Sequence, residues 1–70
     1  MQKPSVGRIV HYQHTLGENR FATYPAIVVD VLPDNHVALK VFSARDFFLP
    51  DVSPSESLAV GCWSWPARVE

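Results

Sequence analysis

The sequence has almost nothing from which to build a covalent or metal crosslink. It contains one cysteine, Cys62, in 70 residues, which excludes an intrachain disulfide and a cysteine-rich zinc site. Of the histidines, only His11 and His14 are close in sequence, and no neighbouring residue completes a set of metal ligands. We therefore expect neither a metal nor another cofactor. A chain of this length buries only about 60% of its unfolded surface, and small domains without crosslinks often self-associate, so we expect a homo-oligomer.

Concentrated charge and long apolar runs are also missing. The net charge is −1 and no run of lysine or arginine occurs, which argues against nucleic acid as the partner, because its capture normally uses a basic patch. No apolar run approaches the 18 or so residues that would span a bilayer, and the first residues lack the apolar core of a signal peptide. Together with the free cysteine, these features predict a cytoplasmic protein with no membrane partner.

No stretch has a helical period, and six prolines interrupt the chain. Because proline is costly inside helices and excluded from central strand positions, it marks the ends and edges of short strands here. The sequence predicts one all-β domain over residues 1–70. We expect four to five short strands that form a small SH3-like or OB-like open barrel, or a strongly twisted antiparallel sheet.

The clearest element is a hairpin. Two apolar segments, residues 26–32 and 36–42, flank Pro33-Asp34-Asn35, where proline presets φ and asparagine tolerates the left-handed conformation that such a turn needs. The alternation of side chains predicts six residues on one buried face, namely Ile27, Val29, Val31, Val37, Leu39 and Val41.

The other segments are shorter. Residues 6–12 and 47–52 read as strands, and Gly7 as a bend where the first strand enters the sheet. The sequence predicts a loop over residues 14–24, a turn over residues 43–46 and a second loop over residues 53–57. The last strand lies within residues 58–66, where Trp63 and Trp65 stand two apart and therefore share a face.

No catalytic constellation is recognisable. No serine lies in a Gly-x-Ser-x-Gly turn, no motif links His11 or His14 to a nucleophile, and the three glycines are too isolated for a phosphate-binding loop. The sequence therefore predicts a protein that is not an enzyme.

Binding residues are easier to nominate. Trp63 and Trp65 either cover a small core or offer a stacking platform for a base or partner, and the sequence leaves both interpretations open. Arg8, Tyr12 and Arg68 are the further candidates, because an arginine fork suits a phosphate or carboxylate. Lys40 and Arg45 are less specific candidates for the same contact, since exposed charges are common.

Three blocks resemble a group of short proteins encoded by bacteriophages and prophages. Residues 4–12, PSVGRIVHY, resemble the opening of these proteins, residues 26–31, AIVVDV, resemble an AIVTEV stretch, and residues 61–69, GCWSWPARV, resemble a GTWHWPERV ending. The blocks occur in the same order and cover about half of the chain. The chain departs from the pattern at Cys62, Ser64 and Ala67, and Ser64 stands where the group typically has histidine.

The resemblance implies a phage accessory protein of the host cytoplasm that works by binding. Some phage proteins of this size are oligomeric sponges that sequester nucleotide-type signals of host immunity, and in such a sponge the five candidate residues would surround a pocket between subunits. An interaction module acting on a host or phage protein is the alternative. A nucleic-acid-binding barrel is a third possibility, which the lack of basic excess disfavours.

Overall fold

A computed structural model describes residues 2–66, so the predicted contact Arg68 lies outside the described residues. The fold is all-β, as the sequence predicted. Between the second and third strands lies a single 3-10 turn, and the strands are β1 (Ile9–Gly17), β2 (Arg20–Val31), β3 (Val37–Val41), β4 (Phe47–Pro54) and β5 (Cys62–Ser64).

The strands close into a barrel in the order β1-β2-β3-β4-β5. Neighbouring strands are antiparallel, except that β5 lies parallel to β4 while it pairs antiparallel with β1. This closure is consistent with the small SH3-like or OB-like barrel that was predicted, although the barrel is closed rather than open. Within residues 2–66 we find no helix long and apolar enough to cross a membrane.

The core fills the inside of this barrel. The three residues predicted from β3, Val37, Leu39 and Val41, have no solvent exposure, which confirms that face of the hairpin. Every strand contributes at least one buried side chain, so the core packs against all the strands of the barrel. The buried cluster consists of Val10, Tyr12, Ala26, Val28, Val37, Leu39, Val41, Val52 and Trp63.

The prediction for the buried face of β2 was wrong. Ile27, Val29 and Val31 were expected in the core, but the structure buries Ala26 and Val28 completely instead. Two of the three predicted residues are largely exposed, Val29 at 42% and Val31 at 40%.

A β-bulge at Val29 causes this difference for Ile27 and Val29, whereas Val31 keeps its expected partner and is exposed at the end of β2. The hairpin closes with Val31 opposite Val37, as an unbroken ladder would require, but farther along Leu39 faces Val28. The extra residue on β2 is Val29, which shifts the register by one residue. Side chains alternate between the two faces of a strand. A one-residue shift therefore turns the side chains on the far side of the bulge to the opposite face of the sheet.

The first hairpin is longer than predicted. Residues 14–24 were expected to form a loop, but β1 and β2 run through them and turn only at Glu18 and Asn19. Asn19 has a φ of 53°, the conformation that a two-residue hairpin turn needs and that asparagine tolerates. The two arms contain good strand formers, Thr15, Phe21 and Tyr24. Their preference for extended backbone favours strands although the segment is polar.

The other turns lie near their predicted positions. The hairpin turn falls on Pro33–Asn35, with Asp34 and Asn35 both at positive φ. Gly7 has a φ of 92° in the turn that precedes β1, as expected for a bend at the start of the sheet. The last strand lies within residues 58–66 as predicted, but it occupies only Cys62–Ser64, so Trp65 falls beyond its end.

Candidate functional site

Trp65 lies at the edge of the barrel, just beyond the end of β5. Its indole Nε1 donates a hydrogen bond to the Gln2 carbonyl oxygen at 3.0 Å, and its ring meets the Trp63 ring edge-to-face at a centroid distance of 5.5 Å. These two contacts fix the orientation of the indole. The side chain remains only half-buried, so part of its apolar surface faces the solvent.

Arg8 packs on this indole. Its guanidinium carbon lies 5.0 Å from the centroid of the Trp65 ring, a cation–π distance. The backbone on both sides of this arginine is held by β2, because Gly7 donates to the Val28 carbonyl and Val28 donates to the Arg8 carbonyl. A guanidinium held over an aromatic ring still has N–H groups that can donate to an anion.

An open cleft of about 380 Å³ lies beside Trp65. Its floor is the outer face of β1 and β5, where His11 and Ser64 are direct cross-strand partners. β2 and the loop that precedes β5 form its sides. The residues that line the cleft are His11, Thr23, Glu56, Leu58, Ser64 and Trp65.

The loop that forms one wall of the cleft is fixed at both ends. At its start, the Ser55 N–H donates to the Trp63 carbonyl at 2.9 Å, and at its end the Gly61 N–H donates to the Gln13 carbonyl at 2.9 Å. Gly61 has a φ of 77°, a conformation that glycine adopts without strain. Glu56 and Leu58 are therefore held over the cleft by a loop anchored to β5 and β1.

Two of the five predicted site residues lie inside the barrel. Trp63 has no exposure and Tyr12 is 9% exposed, and the two are cross-strand partners. The Trp63 Nε1 donates to the Asn35 carbonyl at 3.0 Å, which ties β5 to the β2–β3 turn. The sequence left two interpretations open for the tryptophans. Trp63 is a core residue, whereas Trp65 lines the cleft.

Burial also determines the acidity of Tyr12. It raises the pKa of the Tyr12 hydroxyl above the ordinary value of 10.0, and the nearby Cys62 group raises it further. A neutral phenol beneath the floor of the site supports the barrel and carries no charge at neutral pH.

The structure brings together Arg8 and Trp65 from the predicted set, and it adds five residues that sequence reasoning missed. Thr23 lay in a segment taken for a loop, and Glu56 and Leu58 lie in a loop of no distinctive sequence. His11 and Ser64 alternate with Tyr12 and Trp63, so they would have been found if the sequence had shown that Tyr12 and Trp63 face the core.

Serine, histidine and glutamate, the side chains of one type of hydrolytic triad, all line this cleft. A triad requires the histidine to hydrogen-bond both the nucleophile and the acid. Among residues 2–66, the hydrogen bonds of side chains include none that joins His11 to Ser64 or to Glu56. The described part of the chain also contains no group of three or more residues placed to hold a metal ion.

The fold and the site together define a small closed β-barrel with a half-open cleft beside one tryptophan. Comparisons of the chain with family models, with curated proteins and with solved structures found no match.

Proposed function

We propose that the chain is a non-enzymatic phage accessory protein that binds a nucleotide-type small molecule in the cleft beside Trp65. The observation that carries the proposal is the half-buried indole at the edge of a cleft that also holds polar side chains. Ligand sites typically combine an apolar surface with a few polar groups that fix orientation. Stacking on an aromatic side chain contributes about 1–3 kcal/mol for each base.

The residues around the cleft suit the two ends of a nucleotide. Trp65 offers a base the part of its apolar surface that Arg8 and Trp63 leave uncovered. Arg8, stacked on the same indole, offers N–H donors for a phosphate. His11 lies on the outer face of β1 and offers a hydrogen bond to the sugar or the phosphate. The Thr23 hydroxyl already donates to the Gln13 side chain, and Ser64 is only 5% exposed, so these two contribute mainly to the shape of the cleft.

The phage resemblance gives additional support. Two of the blocks that carry it, residues 4–12 and 61–69, supply Arg8, His11, Ser64 and Trp65 to this one region. Ser64, the position at which the chain departs from the pattern, lines the cleft directly. A sponge for an immune signal would act in the host cytoplasm and would need no catalytic step, only affinity.

A panel of nucleotides and cyclic nucleotides at millimolar concentration tests the proposal through the melting temperature. A ligand that binds only the folded state raises the melting temperature. At least one nucleotide of the panel should raise the melting temperature of the wild type and of Phe42→Leu, a control that removes an aromatic ring outside the cleft. The same nucleotide should leave the melting temperature of Trp65→Leu unchanged. If no member of the panel raises the melting temperature of the wild type, the proposed function is wrong.

The outer surface bears on self-association, and on the alternative function of a module that docks on a host or phage protein. Ile9, Ile27 and Phe48 lie along one cross-strand line that passes through Lys40, and we call the three apolar residues the outer apolar row. Ile9 and Phe48 are 57% and 56% exposed, which is unusual for large apolar side chains that share a face. We propose that this row joins copies of the chain in a homo-oligomer. The docking module instead predicts a monomer that binds no nucleotide.

A further inference from the structure

Glu56 is an unexpected residue in a cleft proposed for a nucleotide. Glu56 is an exposed residue that lines the cleft together with Trp65, and a carboxylate repels a phosphate. Among the residues that the structure describes, Glu56 and Arg8 form no ion pair with one another. A nucleotide in this cleft is therefore attracted to Arg8 through its phosphate and meets Glu56 with another part of the molecule.

That other part must carry hydrogen-bond donors, because an ionised carboxylate only accepts. Two parallel donors suit its two oxygens best, as arginine shows when it binds carboxylates through two N–H groups. Bases held against an aromatic side chain are commonly read along their Watson–Crick edge. The chemistry of that edge therefore decides which base fits Glu56.

Guanine is the base with the matching edge. It presents N1–H and the N2 amino group side by side, two donors that can both reach one carboxylate. Adenine and cytosine each place an acceptor nitrogen beside their amino group, and uracil places its one N–H between two carbonyl oxygens, so each brings an acceptor towards the carboxylate. We infer that the cleft selects a guanine nucleotide, with the base on Trp65, its N1–H and N2 donors on Glu56 and its phosphate towards Arg8.

The inference that the cleft selects guanine rests on the proposed function. A calorimetric titration distinguishes a failure of the guanine preference from a failure of nucleotide binding. The probes are GMP, IMP, AMP, CMP and UMP, and the proteins are the wild type, Glu56→Gln and Glu18→Gln. Glu18 is an exposed carboxylate in the turn of the first hairpin, outside the cleft, so its loss is a matched control. Circular dichroism confirms that each variant keeps the fold.

We expect the wild type to bind GMP at least tenfold more tightly than AMP. IMP, which lacks the N2 amino group, should bind about tenfold more weakly than GMP, as the loss of one charge-assisted hydrogen bond predicts. Glu56→Gln should lose most of the preference for GMP, whereas Glu18→Gln should keep it. Equal affinity for GMP and AMP, or tighter binding of a pyrimidine nucleotide, would overturn the guanine inference alone. If none of the five binds at millimolar concentration, the guanine inference is overturned, and the proposed function fails as well only if no member of the nucleotide and cyclic nucleotide panel raises the melting temperature.

Discussion

At the scale of single residues, the two tryptophans show how position decides the role of a side chain. Trp63 is fully buried and its Nε1 hydrogen-bonds the Asn35 carbonyl. Trp65 is two residues farther on, beyond the end of β5, and is half-buried between the core and the cleft. The sequence predicted that the pair would share a face, and the rings do touch, but only one of them is core.

Substitution of each tryptophan by phenylalanine should separate these roles. Trp63→Phe leaves a cavity and deprives the Asn35 carbonyl of its donor, so we expect it to lower the free energy of unfolding by about 2–4 kcal/mol. Trp65→Phe keeps an aromatic ring at a half-exposed position and should cost less than about 1.5 kcal/mol. Urea denaturation measures both. Equal costs would show that Trp65 is as much a core residue as Trp63.

Tyr12 predicts a dependence of stability on alkaline pH. Because burial raises the pKa of its hydroxyl in the folded state, folding holds the phenol proton more tightly than the unfolded chain does. The stabilisation is complete below the ordinary pKa of 10.0 and is lost as the pH rises through the higher pKa of the folded state. Tyr12→Phe should therefore lose less stability than the wild type between about pH 9 and pH 11. Tyr24→Phe serves as the comparison, and parallel curves for the wild type and Tyr12→Phe would refute the assignment.

At the scale of elements, the sequence predicts regular pairing better than its interruptions. The β2–β3 turn, its positive φ values and the buried face of β3 all follow from proline, asparagine and alternation. The bulge at Val29 does not follow from the sequence. Each valine in a run of apolar residues fits the inner or the outer face equally well, and the closure of the barrel decides which face each one takes. Thr23, and with it one side of the cleft, was missed because the first hairpin has a polar sequence.

The bulge can be tested with two neighbouring valines. Val28 is fully buried and Val29 is 42% exposed, so Val28→Ala should lower the free energy of unfolding by about 2 kcal/mol and Val29→Ala by less than about 0.5 kcal/mol. Leu39→Ala, opposite Val28, should cost about 2–5 kcal/mol. The reverse order for the two valines would indicate the unbulged register that the sequence alone suggests.

At the scale of the whole molecule, the outer apolar row predicts self-association. Sedimentation at micromolar concentration should give a multiple of the 7.9 kDa mass of the chain. Phe48→Glu places a charge in the row and should shift the chain towards the monomer. Thr15→Glu, which adds the same charge on the exposed arm of the first hairpin, should leave the assembly intact. A wild-type monomer would refute the homo-oligomer and favour the docking module.

Binding of a nucleotide beside Trp65 can be observed residue by residue in an NMR titration. The chain has two tryptophans and therefore two indole N–H signals, which Trp63→Phe and Trp65→Phe assign. On addition of GMP, we predict that the Trp65 indole signal and the backbone amide signals of His11 and Thr23 shift in a saturable manner, while the amide signal of Phe48 stays in place. Signals that stay unchanged around the cleft at millimolar nucleotide, or shifts confined to the outer apolar row, would contradict the account.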